Sequence, residues 1–393
     1  MTKKKKIIFV SKLVFFTKDN ELIEENLKFA DLFDKEDIYL IIIARQSTIS
    51  ILKNKIPKEY EKKIQLANRS TRTKEKIKDL KEEGAIFGLI GIVDDDAIFS
   101  FNCKIPLFNP ERLSNGKFVI SDKVKKYGLP IIDFQNVVDC LKAFEIHKED
   151  YFHMRFEDNF SVISLNNANT YYRPEEEARV KQIFETNLKG DEYIRDQRIL
   201  LLLLFHLINE VTTNPYFEKV DYWGTFPSSN PDNTVTSVSF LKEAVRVIIN
   251  GGPKKGPEIL IRTTPMRAKH SSGSLRLTNK SNKDFETLIV NPTLIDKIKG
   301  KVICIIDDYI TNGYSAEAAK HLLFAAGAKE VIFLSFGKFG KRYYSTNYEI
   351  KGDVSKTYSY KFFNEVLYGD TYMGRKYYNS DNDFEILNFA DLV

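Results

Sequence analysis

The chain has 393 residues, 43% of them hydrophobic, and 59 Lys+Arg against 54 Asp+Glu give a net charge of +5. That length has room for two or three domains with cores of their own, and the small positive balance suits anionic substrates without demanding nucleic acid. Cys103, Cys140 and Cys304 are odd in number and widely separated. They exclude a disulfide framework and zinc-ligand spacing, and point to a reducing cytoplasm.

The first 140 residues alternate strand and helix in the βαβ manner. Lysines and an apolar run open the chain like a signal peptide, but Ser11-Lys12 interrupts the run and no small-residue cleavage site follows. A strand over Ile7–Phe16 is the expectation. An amphipathic helix over Glu21–Phe33 and a buried strand over Ile38–Ala44 follow. Charged helices are expected over Lys58–Leu66 and Arg72–Glu83, and a third strand over Ile86–Val93, ending in Asp94-Asp95-Asp96. Ile105–Phe108 reads as a short fourth strand, with a turn at Asn109-Pro110.

This layout resembles the haloacid dehalogenase-like phosphohydrolases. The family's first strand ends in Asp-x-Asp, and here Thr17 falls on the nucleophile position while Asp19 keeps the second. Gly91 to Asp96 resembles the family's metal-binding strand, and the resemblance implies Mg²⁺ held by Asp19, Asp94 and Asp95. A threonine hydroxyl has no evident base to activate it, so a degenerate relative that retains Mg²⁺ or a phosphorylated ligand is expected. The plainer reading is an ordinary doubly wound domain with solvated acids at its strand ends.

Residues 146–200 are mixed and polar. Arg173-Pro174 followed by Glu175, Glu176 and Glu177 fits a helix start. A helical link is expected here. The apolar run from Ile199 through Ile208 contains His206 and is too short to span a bilayer, so a core helix is expected and no membrane partner.

Lys219 to Ser229 reads as a strand ending in Pro227-Ser228-Ser229-Asn230. A helix over Ser237–Ile249 and a strand over Glu258–Arg262 come next. The run Thr263–Lys283, rich in Ser, Thr, Lys and Arg, reads as a mobile loop. Val302-Ile303-Cys304-Ile305-Ile306 then has no polar alternation and suits a strand buried on both faces. Asp307 and Asp308 close it, at the end where open α/β sheets bind ligands. Thr311, Gly313 and Ser315 alternate in the loop that follows, and Ser315 is a good N-cap for a helix. A glycine, hydroxyl donors and a helix start together can cradle phosphate. The two acids beside them suit hydroxyls or a metal ion.

The stretch from Val302 to Ser315 resembles the 5-phosphoribosyl-1-pyrophosphate (PRPP) motif of type I phosphoribosyltransferases. From Val220 to Gly337 the order of elements is similar to the competence-associated, ComF-type branch. The resemblance implies that Asp307 and Asp308 take the ribose diol and, through its hydroxyls, Mg²⁺. It gives the 5′-phosphate to Tyr309, Ile310, Thr311, Asn312, Gly313, Tyr314 and Ser315, with Asn312 in place of a common Thr. Pro227, Ser228, Ser229 and Asn230 would face pyrophosphate, with Arg262, Arg267, Lys269 and Arg276 as candidate cations.

Two doubly wound, mainly parallel α/β domains are therefore expected. One is a haloacid dehalogenase-like Rossmannoid domain over 1–145; the other is a phosphoribosyltransferase-type domain over 201–340. The helical link spans 146–200, and a Tyr/Lys-rich extension spans 341–393. Phosphoribosyl transfer from PRPP to an unknown acceptor, with release of pyrophosphate, is the expected activity. The alternative is a PRPP- or nucleotide-sensing module that regulates a partner protein or acts as a homodimer, in a defence system for example. In the extension, basic residues interleaved with aromatics (Arg342-Tyr343-Tyr344, Tyr358 to Phe363) suit either a nucleic-acid surface or, the favoured reading, a packed cap.

Overall fold

The computed structural model describes residues 4–113, 119–143, 150–156, 159–189, 196–233, 235–250, 257–266 and 280–369, with short pieces at 371–372, 375–376, 389–390 and 393. Six parallel strands form the first sheet: β1 (Lys6–Ser11), β2 (Ile38–Ala44), β3 (Ile64–Asn68), β4 (Ile86–Ile90), β5 (Leu107–Asn109) and β6 (Leu129–Pro130). Their order is 3-2-1-4-5-6, that of the doubly wound α/β class, which reverses between β1 and β4. Helices flank the sheet: α1 (Lys12–Phe15), α2 (Leu27–Lys35), α3 (Gln46–Lys53), α4 (Thr71–Glu82), α5 (Asp94–Cys103), α6 (Asp122–Tyr127) and α7 (Gln135–Ala143).

Three sequence expectations shift here. β1 stops at Ser11 rather than Phe16, and α1 takes over while Val14 and Phe15 stay buried. A continuous apolar run fits a buried helix turn as well as a strand, so composition could not place that boundary. Within Lys58–Leu66, expected as a helix, Lys58–Tyr60 forms one 3₁₀ turn and the chain then enters β3, an edge strand partly exposed along its length. β4 stops at Ile90, and Asp94, Asp95 and Asp96 form the first turn of α5 instead of ending a strand. Acids are favoured in that turn by the helix dipole.

The second sheet has the order β7-β8-β13-β12-β9, from β7 (Phe152–Arg155), β8 (Phe160–Asn167), β9 (Tyr222–Thr225), β12 (Val302–Ile310) and β13 (Glu330–Lys338). Only β7 runs antiparallel. The expected helical link is thus corrected: residues 152–167 are two strands of this sheet, and helices begin only at α8 (Glu175–Lys189). Every residue of β8 is buried, and Ser161, Ser164 and Asn166 among them hid its apolar character. Two further strands, β10 (Leu260–Arg262) and β11 (Leu288–Val290), form a separate antiparallel pair. Glu258–Arg262 therefore does not extend the parallel sheet.

α9 (Gln197–Thr213) and α10 (Ser237–Asn250) join α8 between the sheets. One hydrophobic core runs from the first sheet through these helices to Cys304, Ile306, Ile332 and Leu334 on one face of the second. Ile303, Ile305, Val331 and Phe333 point into another core on the opposite face, with α11 (Tyr314–Ala325). β12 is apolar on both sides because both sides are covered. Burying Val302, Ile303, Ile305 and Ile306 contributes roughly 1.5–3 kcal/mol each. Beyond it, β14 (Tyr343–Gly352) and β15 (Tyr358–Tyr368) form a hairpin whose Tyr343, Tyr348, Tyr360 and Phe362 pack on that second core. Over these residues the extension is a cap. Among the described residues, no helix is long and apolar enough to cross a membrane.

Candidate phosphate and diol site

β12 lies between β13 and the edge strand β9 of the second sheet, and its carboxyl end gathers three connections. Ile306 pairs with Thr225 of β9, and Phe226 N donates to Ile306 O at 2.9 Å. The Pro227–Asn230 loop therefore leaves the sheet beside Asp307. On the other side Asp307 pairs with Ser335 and Ile310 with Lys338. Both acids are partly exposed. Asp307 Oδ1 accepts from Asp308 N at 2.9 Å, and Asp308 Oδ1 accepts from Tyr309 N at 2.5 Å. Each carboxylate is thereby held at the strand end by the following amide.

The loop after β12 turns on Gly313, whose φ of +90° favours glycine, and which caps α11. A Cβ at Gly313 would lie 2.3 Å from the Tyr343 ring, so the hairpin leaves no room for a side chain. Four successive carbonyls are anchored. Thr311 O accepts from Lys338 Nζ (2.6 Å), Asn312 O from Tyr344 N (3.0 Å), Gly313 O from Glu317 N (2.9 Å) and Tyr314 O from Ser281 Oγ (2.8 Å). A trans peptide points its N–H opposite to its C=O. The amides of Asn312, Gly313, Tyr314 and Ser315 are thus turned away from those anchors. Among the described residues, no backbone carbonyl accepts from the amides of Asn312, Gly313 or Tyr314. Amides at the start of a helix such as α11 are groups of the kind that hold anions.

Buried charges hold this arrangement. Lys338 is fully buried and also reaches the carbonyls of Phe339 (2.8 Å), Arg342 (3.0 Å) and Gly340 (3.2 Å). Burial pushes its amine down to about 7. Glu317, equally buried on α11, accepts from Tyr343 Oη (2.7 Å), Thr346 N (2.8 Å) and Lys320 Nζ (2.9 Å). The hairpin is thereby bolted to the helix that starts at the loop.

The neighbouring Pro227–Asn230 loop has the same construction. Arg262 is buried, and its guanidinium donates to Ser228 O (2.7 Å) and Pro227 O (3.4 Å) while pairing with Asp284 (3.3 Å) and Thr287. Ser229 O accepts from Met266 N at 2.8 Å. Ser228 and Asn230 brace the turn further: Asn230 N donates to Ser228 Oγ, and Asp232 N to Asn230 Oδ1. Arg262, expected as a cation facing pyrophosphate, supports the loop from beneath instead.

Other expected residues divide by side chain. Ile310 is core, and Tyr314 is buried, its hydroxyl 3.3 Å from Glu365. Tyr309 packs on Phe339 beneath Lys189, where burial pushes its hydroxyl well above the ordinary tyrosine range. Tyr309 and Ile310 are paired residues at the end of β12, and Tyr314 opens α11. Thr311, Asn312, Gly313 and Ser315 stay at the surface or turn of the loop. Arg267, Lys269 and Arg276 lie outside the described residues.

The acids of the first sheet are differently placed. Asp94 is bonded to Lys123, which holds its carboxyl below the usual range, and Asp95 is exposed on α5. Asp19 lies exposed in the turn beyond α1, no longer at the end of β1. The buried carboxylate is Asp96, which accepts from Ile92 N, Val93 N and Arg69. Among the described residues, no three His, Cys, Asp or Glu side chains group to hold a metal ion. Asp19, Asp94 and Asp95 do not fit the Mg²⁺ site expected of them. Two adjacent carboxylates such as Asp307 and Asp308 suit an ion that is otherwise coordinated by a substrate's own oxygens.

No protein family, curated protein or solved structure matches this chain. Sequence reasoning did not find Lys338, Glu317, Tyr343 or Ser281. The one available signal was Lys338 itself, a lone cation closing the apolar run Val331–Phe336.

Proposed function

We propose that the carboxyl edge of the second sheet binds PRPP, or a related ribose 5-phosphate nucleotide, and transfers its phosphoribosyl group with release of pyrophosphate. One observation carries this reading. Asp307 and Asp308 stand between two loops whose carbonyls are anchored by Lys338, Arg262 and the hairpin, with the amides of Asn312 to Tyr314 given no backbone acceptor among the described residues. The carboxylates accept hydrogen bonds from a diol, and the amides of Asn312 to Ser315 hold a terminal phosphate. The Pro227–Asn230 loop faces the second phosphate group. A phosphoribosyltransferase-type domain carrying this site, beside a haloacid dehalogenase-like one, is the finer architecture proposed within the α/β fold.

Phosphoribosyl transfer needs no protein nucleophile. Fixing the sugar at both ends orients C1 for attack, and two carboxylates near the ring favour the positive charge that develops there. Mg²⁺, arriving with the diphosphate substrate, offsets charge on the leaving group when bound. Asp307 and Asp308 would hold it through the ribose hydroxyls. Calorimetric titration of PRPP with Mg²⁺ into the wild type and into Asp307→Asn/Asp308→Asn tests the reading. Binding that is lost in the variant supports it, and no binding by the wild type overturns it.

A non-catalytic sensor of the same ligand is the second reading. It draws on the pairing of Asp94 with Lys123 and Asp96 with Arg69, which gives the chain a first sheet without a metal-binding acid cluster among the described residues. Pyrophosphate released from PRPP in the presence of bases or amines would separate enzyme from sensor.

A further inference from the structure

We infer that Lys338 is the positioning residue of the phosphate cradle, holding the amides of the 311–315 loop outward from a place no ligand touches. The inference rests on the reading of that loop as an anion site. Its physical basis is the geometry of one amine. Lys338 ends β13, beside Ile310 of β12, and its Nζ meets the carbonyls of Thr311, Phe339, Gly340 and Arg342 within 2.6–3.2 Å. In its protonated form the amine offers three donors and no acceptor, so carbonyls can face it and amide N–H groups cannot. The Thr311–Asn312 peptide therefore has one stable orientation, carbonyl toward Lys338 and N–H toward the ligand side.

The same amine gathers the turn that leads into β14, and Tyr344 of β14 anchors the next carbonyl, Asn312 O. One buried cation thus fixes one peptide of the cradle directly and the adjacent one through the hairpin. No described acid pairs with it. Glu317 and Lys320 of α11 are bonded to each other, His321 of α11 meets Thr346 O, and Lys341 and Arg342 are exposed in the turn. Phe152 of β7 presents its ring at 5.5 Å. The amine is accordingly met by carbonyl dipoles alone among the described groups, which ties it to the loop conformation.

The test follows backbone amide resonances of the full chain during titration with inorganic sulfate, a dianion that needs neither the diol nor Mg²⁺. In the wild type the amides of Asn312, Gly313, Tyr314 and Ser315 are expected to move downfield on saturation. In Lys338→Met these shifts collapse and the sulfate affinity falls ten-fold or more, while resonances of the first sheet keep their positions. Lys338→Gln, which retains two donors, gives an intermediate loss and decides the matter should the Met variant not fold. Wild-type shifts and affinity in both folded variants, or in Lys338→Gln alone if the Met variant does not fold, overturn the role of Lys338 and leave the phosphate reading standing. Absence of any response at these amides in the wild type, to sulfate and to PRPP alike, overturns the phosphate reading itself.

Discussion

Asp94 and Asp96, at the carboxyl edge of the first sheet, are each bonded to a cation, whereas the buried Lys338 at the edge of the second sheet binds carbonyls and the buried Arg262 binds carbonyls and Asp284 together. Both sheets are parallel in their central strands, and both carry acids at or just beyond the carboxyl end of a buried strand. In the first, Lys123 pairs with Asp94 and Arg69 with Asp96. In the second, Lys338 and Arg262 turn peptides, so that amides rather than lysines are presented. Lys338 donates to carbonyls alone among the described groups, while Arg262 bonds the Asp284 carboxylate as well as the carbonyls of its loop.

The largest effect that could break this comparison is on ligand affinity. Asp307→Asn/Asp308→Asn should weaken PRPP by about a hundred-fold or more, given the strength of hydrogen bonds to charged acceptors. Asp94→Asn/Asp95→Asn should leave it unchanged in the same calorimetric titration. Equal losses in both would mean that the two edges act on one ligand. Asp96→Asn should destabilise the fold by about 3 kcal/mol, since it leaves Arg69 without its buried partner, and should not move PRPP affinity. Denaturant unfolding measures the first and titration the second.

Two glycines with similar backbone angles sharpen the contrast. Gly313→Ala puts a Cβ into the Tyr343 ring and should cost about 2–4 kcal/mol, together with loss of phosphate binding. Gly84 has a φ of +84° but nothing within 4 Å of its Cβ position, so Gly84→Ala should cost only about 1 kcal/mol. A smaller difference between them would mean that the hairpin moves aside easily.

Lys338 also predicts a pH dependence with a definite sign. Its value of about 7 in the folded chain lies below the ordinary 10.5, so between these the unfolded chain binds more protons. Stability should rise as pH increases through that window, and be lowest beneath it. The slope contributed by this group cannot exceed about 1.4 kcal/mol per pH unit, and Lys338→Met should remove it in unfolding curves taken across the window. The smallest effect is expected at Phe363, 51% exposed on β15, where Phe363→Ser should change stability by no more than about 0.5 kcal/mol.

Much of the second site is legible in the amino-acid sequence. Five apolar residues, two acids, Thr-x-Gly-x-Ser and a helix-forming run lie in one stretch, and local chemistry accounts for each. Boundaries are less legible: Gly313, not Ser315, caps α11, because the positive φ comes ahead of the best capping side chain. β8 escapes a reading by pattern because its serines and asparagines face other buried polar groups, as Ser164 does Ser335 at 2.6 Å.

By itself the sequence determined the alternating α/β character, the buried β12 and the acids at its end, since apolar runs, glycines and charges act within a few residues of themselves. Tertiary structure alone decided that residues 152–167 complete the second sheet, that Arg262 supports its loop, and that Lys338 anchors Thr311, 27 positions away. Such anchors join groups distant in the chain, and a lone lysine or arginine has no local pattern that says which carbonyl it will meet.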